Sequence, residues 1–231
     1  MKKIIALIVI INFCLSAKAQ KVELFTNFDF GVLSHQSLKE FHNDLVEEIP
    51  FNNIKTTDNF DFNYGFTVGL KFNKINTSFF YSNKVSGAKS SYVDYSGHIK
   101  LTNELQGATF GVIYGIDLQK LGKGDLSLGV KGLITNSKLT LKSENKILTI
   151  EDNSNFIFKS LDFGTGLTLV YEYPLRFMTL RTLFGFDYYL GGKLKFEEID
   201  DAHLLNKNGD NVTTGWTGLN AGIGIEIPLI K

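Results

Sequence analysis

At 231 residues, with 43% apolar residues, the chain has material for one large domain or two small ones. Lys and Arg (24) balance Asp and Glu (24), and no basic stripe runs along the chain, so nucleic acid is excluded as an expected partner. The single cysteine, Cys14, excludes a disulfide framework and a cysteine metal site.

The N-terminus reads as a secretory leader. Met1-Lys2-Lys3 is basic, Ile4 to Ser16 is apolar, and Ala17-Lys18-Ala19 is an A-x-A cleavage site. The expected division is a signal peptide over 1–19 and one domain over 20–231, with Cys14 leaving in the leader. The apolar run is short for a retained spanning helix. Removing Lys2, Lys3 and Lys18 leaves 21 basic against 24 acidic side chains. No later apolar run is long enough for a membrane helix, so a membrane-spanning form must be a closed barrel, which pairs its backbone groups between strands.

Period-2 alternation then recurs along the chain. Residues 22–32 set Val22, Leu24, Phe28, Phe30 and Val32 against Glu23, Asn27 and Asp29. Residues 60–73 set Phe60, Phe62, Tyr64, Phe66, Val68, Leu70 and Phe72 against Asp61, Asn63, Gly65, Thr67, Gly69 and Lys71. A third strand opens at Ile75, with Thr77, Phe79 and Tyr81 on its apolar face. A fourth, ending at Leu118, sets Phe110, Val112, Tyr114 and Ile116 against Gly107, Thr109, Gly111, Gly115 and Asp117. The fifth (126–137) sets Leu126, Leu128, Val130 and Ile134 against Ser127, Gly129, Lys131 and Thr135. The sixth (157–173) sets Leu161, Phe163, Leu167 and Leu169 against Asp162, Gly164, Gly166 and Glu172. The seventh (176–190) sets Met178, Leu180, Phe184 and Phe186 against Arg181, Gly185 and Asp187. The eighth (215–229) sets Leu219, Ile223, Ile225 and Ile227 against Asn220, Gly222, Gly224 and Glu226.

Short and long connections alternate. Asn73-Lys74, Gln119–Asp125 and the turn at Pro174 are short, whereas 33–59, 84–104, 138–156 and 191–214 are long. The expected fold is therefore all-β: an eight-stranded antiparallel up-and-down transmembrane β-barrel with short periplasmic turns and four long external loops. Its bulky apolar face meets lipid, and its glycine-rich polar face fills a narrow interior. Phe60, Tyr81, Tyr188 and Trp216 toward the loop end, and Phe72 and Tyr173 toward the turn end, are expected at the membrane interfaces. The competing architecture, a lipocalin-like barrel or a sandwich, puts the apolar face inside and asks water to cover a glycine-rich exterior.

This pattern and topology, from 22–32 to 215–229 behind a leader, resembles the small eight-stranded outer-membrane β-barrels of Gram-negative bacteria, the OmpX/OmpA-like porin-family barrels. The resemblance implies an outer-membrane location and a monomer in contact with outer-membrane lipid. One departure is the C-terminal Pro228-Leu229-Ile230-Lys231, which lacks the aromatic residue with which such barrels often end.

Functional residues are sought in the interior and the loops. The inward charges are Glu23, Asp29, Asp61, Lys71, Asp117, Lys131, Asp162, Glu172, Arg181, Asp187 and Glu226. They are expected to form a paired network plugging the lumen, since an unpaired buried charge is costly. A narrow channel or carrier for small ions or small hydrophobic molecules is the alternative, if glycine leaves open space. In "SLKEFHNDLVEEIP" (37–50), Ser37 and Glu40 match a capping box, and Leu38, Phe41, Leu45 and Ile49 follow helical spacing up to Pro50. A short amphipathic helix is expected, covering the mouth or lying on the outer leaflet. "KLTLKSENKILTI" (138–150) alternates across an expected turn at Glu144-Asn145.

Glu197, Glu198, Asp200, Asp201 and Asp210 are calcium-type ligands, but no Glu completes a calcium loop after Asn206, Asn208 and Asp210, so a solvated acidic loop is expected. The four histidines, His35, His42, His98 and His203, lie in or near the loops. His98 with Ser96, or His35 with Ser34, are the parts from which an outer-membrane lipid-modifying enzyme would be built, without a nucleophile-elbow or metal spacing behind them. The expectation is a non-enzymatic scaffold without cofactors, meeting surface partners through loops 33–59 and 191–214.

Overall fold

The computed structural model of the protein describes residues 21–230, apart from 51–52, 96, 148–149, 198 and 200–201. The leader, Ser96, Glu198, Asp200 and Asp201 therefore lie outside the described residues. The alternating segments become β1 (Val22–Leu33), β2 (Lys55–Asn59), β3 (Asn63–Phe72), β4 (Thr77–Asp94), β5 (Gly97–Leu121), β6 (Gly124–Ile147), β7 (Ile150–Pro174), β8 (Thr179–Gly191), β9 (Lys195–Phe196) and β10 (Gly218–Ile230), with one helix, α1 (Gln36–Glu47). Eight strands close an antiparallel ring in the order β1-β3-β4-β5-β6-β7-β8-β10 and back to β1. β2 and β9 pair onto the loop-end parts of β4 and β7. Closure leaves the ring itself without an edge to aggregate.

The short turns follow local chemistry. Gly122, at φ 65°, makes the two-residue reversal between β5 and β6, a conformation that favours a residue without Cβ. A 3-10 turn at Asn73–Ile75, closed by a left-handed Asn76, joins β3 to β4, so Ile75 lies in the turn and the strand begins at Thr77. The 84–104 and 138–156 connections are hairpin extensions: β4 to β7 continue pairing to their tips. β6 passes straight through Glu144 and Asn145, which pair with Asn153 and Asp152, and pairing continues to Ile147 and Ile150, so the expected turn at Glu144-Asn145 does not form there. The second expected strand also starts late, at Asn63. Phe60 has φ 54°, which breaks the alternation and turns its ring into the mouth.

The outer surface of the ring is apolar. Phe110, Ile134, Phe163 and Leu190 are direct neighbours on four successive strands, and all are about half exposed or more. Leu167, Phe186 and Leu219 continue the belt onto β10, and Phe28 and Phe66 carry it across β1 and β3. On β5 the belt runs from Phe110 to Leu118, the span a tilted membrane strand of about 9–11 residues needs. Four residues toward the loop end, the outward row becomes Gln106, Lys138 and Lys159, also in register. Inward-facing residues are buried and mostly polar. The hydrophobic core sits instead in the loop-end mouth, where Leu33, Leu38, Phe41, Phe60, Leu105, Leu139, Phe158, Leu194, Val212 and Trp216 pack together. Phe60 and Trp216 therefore do not reach the outer aromatic rim, whereas Tyr81 and Tyr188 stay outside.

Candidate functional site in the lumen and its capped mouth

The turn-end half of the lumen collects charges from five consecutive ring strands. Lys71 on β3 lies 2.6 Å from Glu172 on β7 and 3.2 Å from Glu226 on β10. Arg181 on β8 lies 3.3 Å from Glu226 and 3.9 Å from Glu172, and its guanidinium sits 4.2 Å from the centre of the inward Phe25 ring. Glu23 on β1 accepts from Asn73 Nδ2 at 2.8 Å and pairs with Lys21 at 2.9 Å.

A second cluster lies higher. Asp187 pairs with Lys131 and, at 3.7 Å, with Lys84, while Asp29 accepts a hydrogen bond from the Thr67 hydroxyl. Above it, Asp162 is held by hydroxyls. Ser137, Thr214 and Ser160 donate to it at 2.7, 2.9 and 3.3 Å, and the Trp216 indole donates to Ser137 Oγ at 2.8 Å.

Ten of the eleven expected lumen charges thus face the interior. Asp61 does not: it precedes β3 and pairs at the exposed rim with Lys39 of α1 at 2.8 Å. Asp117 lines the turn-end cavity with Lys71, Glu172 and Arg181, at the exposed end of the lumen and just before β5 bulges between Asp117 and Gln119. Lys84 was missed because it falls where alternation was read as a connection; its parity with Ser78, Phe80 and Ser82 is the signal that finds it.

The open space beside the glycines that the alternative channel reading requires is filled. A Cβ on Gly69 would lie 2.3 Å from the Phe25 ring, on Gly111 2.2 Å from Phe80, and on Gly107 2.6 Å from Trp216. Glycine and aromatic residues form complementary halves of one packed interior. Among the described residues, the lumen has a central cavity of ≈ 50 Å³, a turn-end cavity of ≈ 50 Å³ and one of ≈ 10 Å³ toward the loop end, each far smaller than a section of open channel.

α1 closes the mouth rather than lying on the outer leaflet: Leu38 and Phe41 are buried in its core, with Leu45 packed at the edge. The Ser37–Glu40 capping box does not form. His35 occupies the N-cap, Ser37 Oγ accepts the backbone N–H of Thr213 at 3.2 Å, and Glu40 takes a hydrogen bond from Gln36.

Two histidines pin this cap. His35 bonds the Thr214 carbonyl at 2.5 Å through Nδ1 and Asn63 Oδ1 at 3.0 Å through Nε2. His42, on the underside of α1, bonds Ser90 Oγ on β4 at 2.8 Å and Asn103 Nδ2 on β5 at 2.9 Å. Burial holds the His42 imidazole down to about 4 and pushes His35 below its ordinary value. The Ser90–His42–Asn103 chain has the composition of a nucleophile, a base and an orienting group. Ser90 is only 1% exposed beneath the helix, so it has the geometry of a structural tie and lacks the access a nucleophile requires.

The other expected parts stay apart. Ser34 engages Thr217 through its backbone, and His98 sits at a strand tip beside a polar cleft of ≈ 410 Å³. His203 forms a bridge with Lys195. In the acidic loop, Glu197 pairs with Lys159, and Asn206 Oδ1 accepts the backbone N–H groups of Asn208 and Asp210. Among the described residues, no group of three His, Cys, Asp or Glu is placed to hold a metal ion.

No protein-family model and no curated protein matches the chain. Among solved structures, the chain is similar to Neisserial surface protein A, known from a crystal structure. The likeness has 11% identity, covers 89% of this chain and 96% of that one, and has a TM-score of 0.38.

Proposed function

We propose that this chain is an outer-membrane β-barrel protein, a monomeric non-enzymatic scaffold that presents its strand tips for contact at the cell surface. The observation that carries this reading is the inverted arrangement of the ring: exposed apolar rows outside, buried ion pairs inside, and an outer face that turns polar at Gln106, Lys138 and Lys159. Water would not favour so continuous an apolar surface, whereas the acyl region of a bilayer requires it.

The packed lumen argues against conduction, and the buried Ser90 hydroxyl argues against catalysis. Surface contact falls to the hairpins around 84–104 and 138–156, because α1 and much of 191–214 are turned into the mouth. This shifts the expected contact from loops 33–59 and 191–214 toward the tips.

The test is electrophoretic mobility of the outer-membrane fraction, boiled against unboiled in detergent. A band that moves only after boiling is the expected result. A soluble band that boiling does not move would reassign the apolar face to a lipocalin-like or partner-covered surface.

A further inference from the structure

The central cavity is not lined at random. Five side-chain atoms that make no hydrogen bond belong to residues on its wall; Asp187 Oδ1 is ion-paired with Lys131, which leaves four without a partner: Asn27 Oδ1, Ser82 Oγ, Asn220 Nδ2 and Arg181 Nε. All four residues are more than nine-tenths buried, and they come from four different strands, β1, β4, β10 and β8. A buried polar group left unpaired loses its hydration without compensation, and four together would be a large fraction of a domain's net stability.

The chemistry of the set selects a ligand. Asn27 Oδ1 only accepts, Asn220 Nδ2 and Arg181 Nε only donate, and the Ser82 hydroxyl does both. An anion would use the donors and leave Asn27 unmet. A metal cation would use the acceptors but face three cations on the same wall, Lys84, Lys131 and Arg181, against two carboxylates, Asp29 and Asp187, of which Asp187 is already paired. A molecule that donates and accepts satisfies all four. The volume, ≈ 50 Å³, suits a few water molecules and excludes most larger ligands.

We propose that the central cavity is a built hydration site, holding ordered water that joins Asn27, Ser82, Asn220 and Arg181 into one network. Arg181, Ile113 and Val170 also line the turn-end cavity, and Asp29, Lys84 and Asn220 also line a smaller cavity of ≈ 10 Å³ on the loop-end side. Toward the loop end, the apolar mouth around Trp216 and Phe60 seals the interior.

The test is crystallography of the full barrel in detergent, with and without pressurised xenon, which enters dry cavities. The expected result is oxygen density at about 2.7–3.2 Å from at least three of the four atoms, and no xenon there. Xenon in the central cavity, or no density of either kind, overturns the proposal. Ser82→Ala supplies an independent readout in the folded barrel. A urea midpoint that falls or holds agrees with a hydrated hydroxyl, whereas a midpoint that rises shows a dry, penalised one. Neither outcome depends on whether the barrel proves to be membrane-embedded.

Discussion

His42 carries the clearest pH dependence. Its ordinary value near 6.5 falls to about 4 in the folded chain because burial disfavours the imidazolium. The unfolded or lifted state therefore binds the proton more readily, so the hold on α1 is complete above about pH 6.5 and weakens as pH falls toward 4. The chain's single tryptophan, Trp216, stacks edge-on against His35 at 5.2 Å and reports on this cap. Its fluorescence is expected to change over that window, and His42→Gln should flatten the His42 part of the change; an unaltered titration in the variant would remove His42 as the trigger. Glycine supplies a second test at this scale. Gly111→Ala places a Cβ against Phe80, and overpacking of this kind costs about 1–3 kcal/mol. A lowered urea midpoint, restored in Gly111→Ala/Phe80→Leu, would show that the two residues share one space.

α1 shows how an element can be legible while its purpose is not. The spacing of Leu38, Phe41 and Leu45 announces an amphipathic helix, but spacing alone leaves the mouth and the leaflet as equal destinations. The mouth wins because Leu105, Leu139, Phe158 and Trp216 arrive there from strands and loops distant in sequence. Leu38→Ala should loosen the cap by about 2–5 kcal/mol while leaving the ring intact, read as faster amide exchange in α1 and unchanged exchange in β6. Alternation located ten of the lumen charges because a paired strand enforces parity. It misassigned Asp61, where Phe60's positive φ ends that enforcement. Inward aromatics were harder to see: Phe25 and Phe80 sit at polar-face positions, and only their pairing with Gly69 and Gly111 across strands explains them.

At the scale of the whole molecule, the ring and its inside-out surface were legible, since eight alternating runs joined by short turns and long connections in strict alternation leave few other closed arrangements. The height of the belt was not, because its limit is a property of neighbouring strands in register. A charge placed in the belt is the matching test. Phe163→Lys should impair assembly into the membrane, at about 2–4 kcal/mol if it lies near the midplane, whereas Asn155→Lys on the projecting part of β7 should not. Equal yields of the two variants in the outer-membrane fraction would contradict a lipid-facing belt. The projecting hairpins carry a mechanical consequence. From Ile147 and Ile150 at the tip to Asp125 and Glu172 near the turn end, β6 and β7 form one uninterrupted ladder, and β5 flanks it along most of its length. A tug on the tip directed along the strands is shared by many hydrogen bonds in shear instead of opening them one after another. In the proposed surface setting, whatever grips that tip would thus be pulling on the barrel wall itself.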